Sequence, residues 1–148
     1  MQIDVENAIR DMHNAVNLMR QTKKQINDLI DVLGDKPEMK PVIEKGKSIV
    51  GKIAEWEEQI IQPKSLSNDD VINFENKLSA DYIFLKGNLD ANTPSVTKGE
   101  KQRLSELNAL WQQRQVERGA LQKSITDFNN QCRQMNLEKI VVPAAVNK

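Results

Sequence analysis

Between Val5 and Leu33 the chain returns to one face in steps of four and three residues: Val5, Ile9, Met12, Val16, Met19, Lys23, Ile26, Ile30 and Leu33. Eight of these nine positions are apolar, and Lys23 is expected to break the seam. Such steps hold side chains on one side of a helix with 3.6 residues per turn, while Asp, Asn, Arg and Gln fill the other sides. The pattern predicts a helix over 4–33 with a narrow apolar face that other helices must cover. Gly34 is its stop, because glycine takes the left-handed cap conformation at no steric cost.

After Asp35-Lys36-Pro37 a second helix is predicted over 41–62, since Pro41 is tolerated only in a first turn. Its apolar face comprises Val42, Ile43, Gly46, Ile49, Val50, Ile53, Trp56, Ile60 and Ile61. Gly46 lies on that face, which suits close approach of a neighbouring helix. Pro63 is expected to end the helix at the residue before it. Ser67-Asn68-Asp69-Asp70 reads as a capping start for a third helix over 68–89, with Val71, Phe74, Leu78, Tyr82, Leu85 and Leu89 on one side. Thr97-Lys98-Gly99-Glu100 forms a second capping box, opening a helix over 98–136 whose seam is Leu104, Leu107, Trp111, Leu121, Ile125, Phe128, Cys132 and Met135.

Four amphipathic helices and no alternating strand pattern predict an all-α fold, an up-down four-helix bundle over 1–148 as a single domain. The tail 137–148 holds Ile140-Val141-Val142-Pro143 and is expected to run extended along a groove. The fourth seam is interrupted at Arg114 and Arg118. With antiparallel outer helices this gap falls near Lys23, leaving two readings open. Lys23, Glu117 and an arginine form a polar layer, or Lys23, Arg114, Glu117 and Arg118 project to solvent on apolar stems.

Composition narrows function by exclusion. The 21 basic and 21 acidic residues cancel, so no electrostatic footprint for nucleic acid is expected. No apolar run approaches the roughly 20 residues that cross a bilayer, so no membrane insertion is expected. Cys132 is alone, forms no internal disulfide and reads as a small buried apolar residue.

No catalytic constellation is legible. His13 is the single histidine, flanking the seam at Met12, with no nucleophile motif or metal-ligand spacing around it. Asp69-Asp70 has a capping role, and Glu57-Glu58 fits a solvated face. Neighbouring helical residues point about 100° apart, so neither pair suits two-carboxylate glycosidic chemistry. Trp56 and Trp111 are the residue type that stacks on sugars, but both fall on apolar seams and read as core. Met12, Met19 and Met135 read as core filler. No cofactor, metal or catalytic residue is therefore expected, and carbohydrate is not expected to bind this domain alone.

The stretch Trp56-Glu57-Glu58-Gln59-Ile60-Ile61-Gln62-Pro63-Lys64 is distinctive. Asp70-Val71-Ile72-Asn73-Phe74, Leu78, Tyr82, Asp90, Pro94, Val96-Thr97-Lys98-Gly99, Arg103, Leu107, Trp111 and Ile140-Val141-Val142-Pro143 follow in order. This succession resembles the carboxy-terminal helical region of large secreted bacterial proteins with Asp-box (BNR-type), sortilin-like β-propellers, often labelled glycosyl hydrolases. The resemblance covers residues 53–143. It implies a non-catalytic accessory domain, excised from the carboxy terminus of a larger protein with Met1 as an introduced start. Its partner would be its own propeller or another protein, and its location secreted, periplasmic or at the cell envelope. Trp56, Gln62, Pro63, Lys64, Trp111 and Pro143 are the candidate interaction or structural residues, with the loops at Pro63–Ser67 and Asp90–Val96 as docking points. The alternative is a free-standing self-associating coiled coil or adaptor, with the first helix's seam open to a partner helix.

Overall fold

The computed structural model describes residues 1–61, 77–91 and 95–135. They form an all-α bundle: α1 (Gln2–Leu33), a short 3-10 turn (Pro37–Met39), α2 (Lys40–Glu58), α3 (Leu78–Ala91) and α4 (Lys98–Gln134). There is no strand among the described residues. The predicted tail and the Ser67–Asp70 start lie outside them.

The predicted helix ends hold at α1, where the Gly34 N–H donates to the Ile30 carbonyl at 3.1 Å and Gly34 has φ +61°. Lys36, extended before Pro37, then redirects the chain. At the start of α4 the capping box forms in both directions. The Thr97 N–H donates to Glu100 Oε2 at 2.9 Å, and the Glu100 N–H donates to Thr97 Oγ1 at 3.1 Å.

Two boundaries differ from the sequence pattern by more than two residues. Helix α2 stops at Glu58, four residues early, because Gln59 and Ile60 N–H groups donate to Trp56 and Glu57 in tighter three-residue turns. The Ile60 carbonyl is thereby freed to accept from the Ser79 N–H at 2.9 Å. One orphan donor of the first turn of α3 thus meets an orphan acceptor beyond α2. Helix α3 begins at Leu78, and Lys77 lies outside it. A single helix over 68–89 is therefore not what forms.

The chain groups into two compact units. The first comprises residues 1–14 and 56–116. In it α1 and α3 run antiparallel in fixed register. Gln2 Nε2 donates to Asp90 Oδ1 at 2.9 Å, Lys86 Nζ lies 3.6 Å from Glu6, and His13 Nε2 is 3.2 Å from Ser79 Oγ. Moving from Gln2 to Glu6 to His13 along α1 matches equal steps backwards from Asp90 to Lys86 to Ser79, whole turns on both helices. Val5, Met12, Trp56, Ile60, Leu78, Tyr82, Leu85, Leu89, Leu104, Leu107 and Trp111 form its buried core.

The second unit comprises residues 15–55 and 117 onward. Val16, Met19, Ile26, Leu33, Val42, Ile49, Ile53, Leu121, Ile125, Phe128 and Cys132 are buried there. Gly46 is the expected close approach. A β-carbon there would stand 3.2 Å from Ile26 Cγ2, 3.2 Å from Ile30 Cδ1 and 3.4 Å from Phe128 Cε2.

Lys23 does not interrupt the α1 seam. Thr22 occupies that level, fully buried, with its hydroxyl donating to the Leu18 carbonyl at 3.0 Å. The seam therefore steps Met19, Thr22, Ile26, and Lys23 is half-buried beside it. Back-bonding to its own helix satisfies the hydroxyl, so threonine substitutes for an apolar residue in the slot.

Candidate functional site

The two tryptophans sit in the first unit's core, Trp56 at 2% and Trp111 at 7% exposure, so neither offers a stacking face. Trp56 is also pinned: its Nε1–H donates to the Arg114 carbonyl at 2.7 Å. A buried indole needs such a partner for its one donor. Gln62, Pro63, Lys64 and Pro143 lie outside the described residues, as does the Pro63–Ser67 loop. Of the other loop, Val96 is partly exposed.

Of the residues that could carry chemistry, Asp69 and Asp70 lie outside the described residues. His13 is exposed and its partner Ser79 is buried, with the Ser79 backbone N–H already bonded to Ile60. Their contact ties the start of α3 to α1 and presents no hydroxyl to a solvent cleft. Glu57 is buried, against the expectation of a solvated face, while Glu58 is exposed. Glu57 stands one residue past Trp56 in the closing turn of α2, where the chain folds back towards α3. Cys132 is buried, and burial pushes its thiol up from the ordinary value while the nearby Lys45 charge partly offsets the shift. A thiol held protonated is a poor nucleophile. Met12 and Met19 are fully buried as filler, and Met135 is half-buried. Lys23, Arg114, Glu117 and Arg118 are each half-buried. No group of three or more His, Cys, Asp or Glu side chains is placed to hold a metal among the described residues.

A groove of about 460 Å³ opens at the turn between α1 and α2. Ile30, Ile43 and Pro37 form its apolar part, and Lys36, Lys40 and Lys47 face Asp31, Asp35 and Glu44. The volume suits a small ligand. The charges balance, however, and Lys40 already lies 4.0 Å from Glu44. The lining selects no ligand charge.

The feature the sequence pattern missed is the outward side of α3. Tyr82-Ile83-Phe84-Leu85 are four successive apolar residues. Successive helical positions turn by about 100°, so four of them point nearly all round the helix and one core cannot cover them all. Tyr82 and Leu85 are buried, whereas Ile83 is 51% and Phe84 is 71% exposed. Next to them Gly87 has open space where a β-carbon would stand. The charges bordering the face are paired within the unit. Asp81 lies 3.5 Å from Arg103, and Lys86 lies 2.7 Å from Asp90. The Lys86 ammonium draws the exposed Asp90 carboxyl below its ordinary range by hydrogen bonding, and is itself held up by Asp90. The result is a small apolar prominence whose neighbouring charges already have partners. A run of four successive apolar residues inside a predicted helix was the sequence signal that marked it.

No known protein family, no curated protein and no solved structure matches this chain.

Proposed function

We propose that this chain is a non-catalytic accessory domain of a secreted or cell-envelope β-propeller protein of the glycosyl hydrolase-labelled kind, and that it packs on its own propeller or on a partner protein through α3. The family part of this reading rests on the sequence resemblance across residues 53–143. The observation that carries the interaction part is the exposure of Ile83 and Phe84 on a helix whose other large apolar side chains, Leu78, Tyr82, Leu85 and Leu89, are buried. Large apolar side chains left adjacent on one helix face suit contact with another protein surface. His13, the single histidine, contacts Ser79 at the start of α3, which supports a structural use of that side chain.

The second reading is a free-standing, self-associating adaptor using the α1 seam. Val5, Met12, Met19, Ile26 and Leu33 are all buried by the chain's own packing, which favours the first reading. Light scattering separates them, since a concentration-independent mass near 16.9 kDa counts against obligate self-association.

The test is Phe84→Asp in the longer protein that carries this domain. Protease cutting between propeller and domain should rise, and the radius of gyration should increase, with helix content unchanged. If both readouts stay at the parent's values, α3 is not the docking face. The family reading is tested at the coding locus. A reading frame continuing upstream of Gln2 into Asp-box repeats and a signal peptide supports it, and a ribosome-binding site with a start codon at Met1 overturns it.

A further inference from the structure

We draw no further inference here: the strongest candidate, the outward face of α3 at Ile83, Phe84 and Gly87, belongs to the surface already described, and nothing in the structure shows what covers it.

Discussion

Two glycines five residues apart in α2 should respond in opposite directions to the same added methyl group. At Gly46 the new β-carbon would stand 3.2 Å from Ile26 Cγ2, 3.2 Å from Ile30 Cδ1 and 3.4 Å from Phe128 Cε2. Carbon atoms rest best at about 3.5–4.0 Å, so all three neighbours are too close. Ile30 is half-buried and its Cδ1 is a chain end that can swing away. Ile26 and Phe128 are fully buried, and the Ile26 methyl branches directly from a stiff β-carbon. Overpacking of this kind costs about 1–3 kcal/mol. Replacing glycine by alanine in a helix returns about 0.5–1 kcal/mol. Gly46→Ala should therefore destabilise the fold, by up to roughly 2.5 kcal/mol. At Gly51 nothing lies within 4 Å of the added carbon. Gly51→Ala should stabilise by about 0.5–1 kcal/mol. Because the helix contribution is common to both, their difference reports packing alone. Urea denaturation followed by circular dichroism measures it, and thermal melts should separate the variants by about 2–4 °C for each kcal/mol. If Gly46→Ala is as stable as Gly51→Ala, helices α1 and α4 do not approach α2 at this point, and the packing described for the second unit is wrong.

Trp111→Ala should cost on the order of 3–5 kcal/mol, as for other buried aromatics, and an unchanged denaturation midpoint would put the indole on the surface and revive a stacking role. Thr97→Ala removes the acceptor that caps the Glu100 N–H and should cost about 1 kcal/mol, with Thr97→Ser close to wild type in the same urea series. Burial pushes the Tyr82 phenol up to about 12 from 10.0, and its hydroxyl donates to Asn108 Oδ1 at 2.7 Å. The folded state then keeps a proton that the unfolded chain loses near 10.0, so this contribution is intact below that pH and lost as pH rises towards about 12. As the chain has one tyrosine, its phenolate absorbance reads this directly. Titration near 10.0 in the folded protein would show that the ring is not buried.

Local rules were sufficient wherever one helix and its ends decide the outcome. The three-and-four spacing from Val5 to Leu33 implied α1, Gly34 implied its stop, and Thr97 with Glu100 implied the start of α4. Each depends on backbone geometry and hydrogen bonds within a few residues, which sequence spacing encodes directly. Gly46 was legible for a related reason: a glycine on an apolar face has little use there other than close approach. What packing alone decided concerns choices between equivalent positions. Thr22 and Lys23 both face the seam to within half a turn, and only the neighbouring helices selected Thr22, whose hydroxyl its own helix satisfies. Glu57 and Glu58 look alike in sequence, yet the early close of α2 buried one and left the other in solvent. The end of α2 itself shifted because the Ile60 carbonyl found its partner on α3, a contact between residues distant along the chain. In α3, Tyr82-Ile83-Phe84-Leu85 announces more apolar surface than one core can cover. Which two residues stay outside depended on the register with α1, set by Gln2 with Asp90, Glu6 with Lys86 and His13 with Ser79. Periodicity thus determines helices and their apolar sides, because those are properties of one segment. Register and exposure belong to pairs of segments, and only the folded arrangement chooses among them.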